Sequence, residues 1–446
     1  MMREPVRHRL SAQTNRRLRI YPPPRPGEPE PVVITGIGMI ASVGHDREAV
    51  WRAVRRGESG VRRLANVPGY PSHLRIGAVV EIPPEVPGQL KVTTLGLRAA
   101  DEALRDAGIP WDTVDRSRFA CAVSGHMGDT RWIFDHHGAC RVVQPGEIPF
   151  WQQWLPNTTC AAIAQRYGLY GPRICHSTAC ASGVIDFLCA VRAVRDGQCD
   201  VALAGSGEGI DPLFAAGFEQ MKVLAYDDRP ERACRPFDRT RQGFVMGEGA
   251  AMFVVERLTH ALARGARIYA EVVGGQMLSD AHHVTGLSLE SDTLERLISA
   301  TLAESRLAPR DVGYINAHGT GTELNDRLEI RGIRRALGRA ADRVCVSSTK
   351  SMLGHLINAA GAVELAITTL ALRDGYAPPT LNLTEPDPEC DLDCLPQVGR
   401  PHRFQHALKL SIAFGGHLVA IALRRWNDVR SGFAYPTAPE RQRRAA

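Results

Sequence analysis

From Pro31 the chain changes from a polar, proline-rich stretch to Val32-Val33-Ile34-Thr35-Gly36-Ile37-Gly38. A short continuous apolar run that meets glycines predicts a buried strand followed by glycine turns, so the folded region begins here. Downstream, helical and strand-like patterns alternate. Ala99 to Ala107 predicts a helix, and Phe119 to Val123 and Val201 to Ala204 predict strands. Val184, Phe187, Leu188 and Val191 recur at i, i+3, i+4 and i+7, which predicts an amphipathic helix over Val184 to Val194 whose N-terminus falls at or just after Cys180. A second series repeats the alternation: strand at Arg267 to Val273, helix at Thr293 to Ser305, strands at Val312 to Asn316 and Val344 to Ser348. A last strand pair flanks Phe414-Gly415-Gly416, with Leu418 to Leu423 strongly apolar. Two similar series of alternating strands and helices predict an α/β protein of two halves.

The ends read differently. Residues 1–30 are Arg-rich and then Pro-rich, too poor in apolar residues to order themselves, and predict a flexible tail. They lack a signal-peptide apolar segment, and their scarcity of Ser speaks against an organelle leader. Residues 427–446 form a second polar tail. The 446 residues are 44% hydrophobic and 23% charged, an ordinary globular composition. A net charge of +6 with only 6% aromatics lacks the basic stripe and stacking residues of a nucleic-acid binder. Exposed Arg and Lys suit an acidic protein partner instead. The 11 cysteines show no recurring Cys-x-x-Cys pairs, so they read as reduced thiols of a cytoplasmic protein with no metal site. No apolar run nears the roughly 18 residues that cross a bilayer, so no membrane is expected.

Four segments carry candidate chemistry. In Ser177-Thr178-Ala179-Cys180-Ala181-Ser182-Gly183 a cysteine sits among small residues just before a helix. Unpaired first-turn amides and the positive helix end there predict a stabilised thiolate with a depressed pKa. Asn316-Ala317-His318-Gly319-Thr320-Gly321-Thr322 runs from a strand into a glycine-rich turn, where an imidazole can project into a cleft. Lys350 and His355, within Ser347 to Gly361, precede a helix of small residues that predicts a buried site. Phe414-Gly415-Gly416-His417 is a turn whose backbone N–H groups can face a developing oxyanion. Each segment alone also fits a purely structural role.

In this order the segments resemble the elongating β-ketoacyl-acyl-carrier-protein synthases of fatty acid and polyketide assembly, in the thiolase superfamily. Further matching stretches are Val33 to Gly44, Arg235-Pro236-Phe237-Asp238, Gly243 to Ala250 and Pro378 to Leu383, so the likeness spans roughly residues 31–426. The resemblance implies a thiolase-like five-layer αβαβα fold of two pseudo-repeated halves, residues 31–266 with the nucleophile and residues 267–426 with the histidines. It implies that Cys180 accepts an acyl group and that His318 and His355 stabilise the enolate left by decarboxylation of a malonyl thioester. Lys350 matches the supporting lysine, and Glu364 an acidic position near it. Backbone N–H groups of Cys180 and Phe414 would form the oxyanion hole, with Phe414 as the gate. No resident cofactor is implied, since phosphopantetheine arrives on an acyl carrier protein. The implied assembly is a homodimer or a heterodimer with a ketosynthase-like chain-length subunit.

Two departures from the family pattern bear on substrate. The gate reads Ile412-Ala413-Phe414-Gly415-Gly416-His417-Leu418 where the family often has Phe-Gly-Phe-Gly-Gly-Thr-Asn, and His126 and Met127 fall on the matching acyl-pocket wall. These changes predict a chain that is not plain, long and saturated but shorter, unsaturated or functionalised. A degradative thiolase would need a second cysteine near Phe414 to Leu418, and an initiating synthase a Cys-His-Asn set, for which Asn358 is poorly spaced. Retention of Cys180 separates the chain from chain-length subunits that have lost the nucleophile, while a Cys-His hydrolase remains the competing chemistry.

Overall fold

The computed structural model describes residues 30–64, 75–125, 145–149, 152–153 and 155–426. His126 and Met127 lie outside the described residues. Ten main strands are β1 (Val32–Ala41), β2 (Phe119–Ser124), β3 (Arg173–Ile174), β4 (Val201–Glu208), β5 (Gly249–Arg257), β6 (Ala270–Ser279), β7 (Val312–Asn316), β8 (Cys345–Ser347), β9 (His406–Ala413) and β10 (His417–Arg425). Six helices organise around them: α1 (Lys91–Ala107), α2 (Thr158–Tyr167), α3 (Ser182–Arg195), α4 (Thr293–Glu304), α5 (Glu323–Leu337) and α6 (Ala360–Asp374).

The strand order is β8-β7-β9-β10-β6-β1-β5-β4-β2-β3. Outward from the centre, one half reads β1-β5-β4-β2-β3 and the other β6-β10-β9-β7-β8, so each number in the second is five more than its counterpart. Directions repeat too. The two innermost pairings of each half, β1 with β5 and β5 with β4, or β6 with β10 and β10 with β9, are antiparallel. The outer two, β4 with β2 and β2 with β3, or β9 with β7 and β7 with β8, are parallel. The halves meet where Val32 to Ile34 pair with Val272 to Ala270. The helices recur by the same rule, because α1, α2 and α3 hold the places in the first half that α4, α5 and α6 hold in the second.

Layering follows from which strands each helix touches. α1 packs on β1, β4 and β5, and α2 on α1, whereas α4 packs on β6, β10 and α5. α3 and α6 touch each other and strands of both halves. The result is helix, sheet, buried helix pair, sheet, helix: five layers. α6 is buried along Ala360 to Leu372, which explains its run of small and apolar residues.

Local departures from the pattern have steric causes. Gly36 and Gly38 do not turn the chain but lie inside β1, every residue of which is buried. A Cβ on Gly38 would stand 1.9 Å from the Ala99 carbonyl oxygen, and one on Gly36 2.3 Å from that of Ala103. The missing side chains let α1 settle onto the strand. α1 itself starts at Lys91, eight residues before the apolar periodicity, through Thr93, Thr94 and Gly96, which read poorly as helix yet are buried against its neighbours. β6 is displaced toward Ser279 relative to the expected span and carries Gly274 and Gly275 within it. All ten cysteines among the described residues are free thiols. No helix among these residues is long and apolar enough to cross a membrane.

Candidate active site

Edge strand β3 leads into a tight turn, Ala179–Ala181, that delivers Cys180 to the start of α3. Ala179 is left-handed, with φ of +46°. The matching turn of the second half, Ile357–Ala359, precedes α6, and Ile357 has φ of +40°. A β-branched residue there is strained, and such strain persists only where surrounding contacts fix it. The contacts are visible. Ser182 Oγ accepts the Thr178 N–H at 2.9 Å and lies 2.8 Å from the Ala179 carbonyl and 3.1 Å from Asn358 Oδ1. The two turns touch, so the N-terminal ends of both buried helices converge on the sulfur.

His355 Nε2 lies 3.0 Å from Cys180 Sγ. Its Nδ1 accepts the Ile357 N–H at 3.2 Å, which leaves the ring hydrogen on Nε2, facing the sulfur. His318 follows β7 as the strand pattern predicts, with its ring centre 5.5 Å from that of His355. The Lys350 ammonium stands 3.4 Å from His318 Nδ1 and donates to the His318 carbonyl at 2.5 Å. His318 therefore also carries its hydrogen on Nε2. Lys350 in turn pairs with Glu364 at 2.6 Å, and both are buried. The supporting stretches frame these groups: the Val245 carbonyl accepts the His355 N–H at 2.6 Å, the ring of Phe244 meets the His355 ring edge-on at 5.0 Å, and Phe237 N–H donates to Asp326 at 2.8 Å beside Gly319.

Burial and the Lys350 charge hold both imidazoles well below their usual pKa, so they are neutral. The sulfur departs from expectation. Burial pushes the Cys180 thiol up to about 12, against the opposing pull of Lys350 and of its own backbone N–H. The helix end is present, but desolvation of the anion outweighs it, and the resting group is a thiol.

Cys180 borders two cavities. One, of about 150 Å³, is lined by His318, His355, Thr285, Thr320, Thr322 and Asn325 among others. The second, of about 740 Å³, is lined on one side by Leu213, Phe214, Phe218 and Met221 from the helix Pro212–Gln220 and its end. Phe414 borders both, and its ring lies 6.4 Å from that of Phe218. Among the described residues no backbone carbonyl accepts the Phe414 N–H.

The ligand atoms of Cys180, His318 and His355 lie within 4.8 Å of one another, a spacing a metal ion could bridge. The hydrogen-bonding opposes it. Both Nδ1 atoms already face donors, so each inward Nε2 bears hydrogen rather than a free lone pair.

The β-ketoacyl synthase N-terminal domain model matches residues 29–261 and the β-ketoacyl synthase C-terminal domain model residues 269–384. The chain belongs to the β-ketoacyl synthase family. Among family relatives, the tetracenomycin polyketide synthase ketoacyl synthase alpha subunit of Streptomyces glaucescens is 37% identical over 90% of this chain and 98% of its own. The 3-oxoacyl-[acyl-carrier-protein] synthase 2 of Coxiella burnetii is 36% identical over 89% and 99%. Among solved β-ketoacyl synthases, a type II polyketide synthase acyl-carrier protein in complex with its ketosynthase bound to the hexaketide gives a TM-score of 0.82 at 31% identity, covering 90% of this chain and 100% of that one. The ishigamide ketosynthase/chain length factor gives 0.81 at 28%, covering 90% and 100%. The architecture is thus the thiolase-like fold of the ketosynthases.

Relative to the sequence-based expectation, Cys180, His318, His355, Lys350, Glu364 and Phe414 all converge. Sequence reasoning missed Lys409 and Glu329. Lys409 is fully buried, with Nζ 2.8 Å from Glu364 Oε2. Glu329 Oε1 and Oε2 accept the N–H groups of His318 at 2.5 Å and Gly319 at 2.7 Å. Each left a signal. Lys409 is a lone charge in the apolar run of β9, and Glu329 shares the buried face of α5 with Ile330, Ile333 and Leu337.

Proposed function

We propose that this chain catalyses decarboxylative condensation of an acyl thioester with malonyl-acyl-carrier protein to give a β-ketoacyl-acyl-carrier protein. The observation that carries the reading is the meeting of one thiol with two neutral imidazoles, each with an Nε2–H turned inward. In the first step the Cys180 sulfur attacks the carbonyl of a carrier-bound acyl group. His355 Nε2–H steadies the sulfur as charge develops, and the proton ends on the departing pantetheine sulfur. The amide N–H groups of Cys180 and Phe414 are the proposed oxyanion donors.

In the second step the malonyl C–CO₂ bond breaks and its electrons enter the thioester as an enolate. Two neutral N–H donors suit that oxygen, since an imidazolium would protonate the enolate as it forms and quench the carbon nucleophile. The enolate carbon attacks the acyl carbonyl, the C–C bond forms, and the Cys180 sulfur leaves and takes up one proton from solvent, CO₂ being the other product. Lys350, held by Glu364, fixes the tautomer of His318. Dividing the condensation in this way turns one hard step into two easier ones.

The smaller cavity, which holds both imidazoles, fits the malonyl arm, and the larger one the acyl chain. No resident cofactor is needed, because phosphopantetheine comes with the carrier protein. The relative solved with its acyl-carrier protein supports that partner, as does the net charge of +6. A dimer, either of this chain or with a ketosynthase-like chain-length subunit, is supported by the ketosynthase/chain length factor among its structural neighbours. The reading places the enzyme in the cytoplasm and in fatty acid or polyketide synthesis, with a specialised polyketide-type chain preferred by the polyketide relatives and the altered gate. Incubation with acyl- and malonyl-carrier proteins, followed by product mass spectrometry, tests it. A ketoacyl product two carbons longer is expected; free acid without that product would make the chain a hydrolase.

A further inference from the structure

We propose that Lys409 is a positioning residue for His318, clamping the backbone on which that imidazole rides and adding positive charge behind it. The inference rests on the reading of His318 as an enolate donor. β9 carries Lys409 into the interior, where its ammonium pairs with Glu364 Oε2 at 2.8 Å, donates to the Leu410 carbonyl, and lies 3.4 Å from the Ala317 carbonyl. The Ala317–His318 peptide unit is therefore bracketed, its C=O by Lys409 and its N–H by Glu329. The next unit is bracketed the same way, with the His318 C=O held by Lys350 and the Gly319 N–H by Glu329. Two lysines and one glutamate thus grip both sides of His318, and Glu364 lies between the lysines.

A buried cation is costly to desolvate, and a strand interior needs none for its ladder. Its position explains it. The charged and titratable groups facing Lys409 are Glu364 on α6, Lys350 in the short helix Lys350–Leu353, Glu329 on α5, and His318 and His355. Its charge helps keep both imidazoles neutral, and it would favour an enolate formed beside them. Burial lowers the Lys409 pKa to about 8, so this support is present below that pH and lost above it.

The test separates the two half-reactions in the full-length protein: acylation of Cys180 by an acyl-carrier protein, read by intact mass, and decarboxylation of malonyl-carrier protein. In Lys409→Met, decarboxylation kcat should fall about tenfold with little change in KM, while acylation stays within about twofold. Wild-type decarboxylation should decline as pH rises through about 8, and Lys409→Arg, whose charge persists, should move that decline beyond about pH 9. Unchanged decarboxylation in Lys409→Met, or equal loss of both half-reactions, would overturn the proposal. If the variants do not fold, a flat wild-type decarboxylation profile from about pH 7 to 9.5 would overturn it equally. Wild-type protein that never decarboxylates malonyl-carrier protein would instead remove the reading beneath it.

Discussion

The sulfur of Cys180 keeps its proton at neutral pH because it is buried, and its anion would lose more hydration than Lys350 and its own backbone N–H return. Alkylation by iodoacetamide should accordingly be slower than for an exposed cysteine near pH 7 and should keep rising with pH toward about 12, as followed by peptide mass spectrometry. A plateau already reached by neutral pH would mean a resting thiolate. The imidazoles obey the same rule with opposite sign. Their folded pKa values lie well below the ordinary 6.5, so between those values and 6.5 the unfolded chain binds more protons. Stability therefore falls as pH drops below about 6.5, and urea midpoints at pH 7 and pH 5 should show the loss. Five of the six named site residues were legible because each sits in a contiguous motif, and Glu364, outside those segments, was implied by the resemblance alone. Lys409 and Glu329 were not, because their meaning depends on which strand or helix lies beside them. The acidity of Cys180 was misjudged because local sequence reveals a helix end but not how much water the finished fold removes.

Elements place those residues by steric fit more than by propensity. A Cβ on Gly183 would meet Ser206 Oγ at 2.2 Å and Ala362 Cβ at 2.9 Å, so α3 approaches β4 and α6 closely only because that position is bare. The helix Pro212–Gln220 behaves differently, since a Cβ on Gly217 would meet no atom within 4 Å and Gly217 lines the larger cavity. Gly217→Leu should therefore fold normally and shorten the acyl chain accepted, which competition among carrier-bound chains of graded length would measure. Equal use of all lengths would show that the chain lies elsewhere. The alternation of strands and helices was readable because strand and helix periods differ. The extent of α1 and the continuation of β1 through two glycines were not, since both are settled by the packing of one element on the other.

At the scale of the whole molecule the repeat explains why the site is where it is. Each half offers a tight turn with a left-handed first residue before its buried helix, and the two turns meet. Cys180 occupies the middle of one turn, and Asn358 the middle of the other. Two positive helix ends thus share one small volume, suited to charge that appears only during reaction. The second half adds His318 after β7 and His355 before α6, so neither half holds the full set. A sequence can show two similar series, but the antiparallel join at Val32 to Ile34 that brings them face to face is a property of the folded chain.

The central claim is that Cys180 carries the acyl chain while His318 and His355 drive its extension. The most direct test loads the protein from an acyl-carrier protein, locates the adduct by peptide mass spectrometry, and then adds malonyl-carrier protein. The chain should be found on Cys180 and should leave it as a β-ketoacyl-carrier two carbons longer, whereas Cys180→Ala should take up no acyl group yet still decarboxylate malonyl-carrier protein. An adduct on another cysteine, or condensation by the Cys180→Ala protein, would contradict the account.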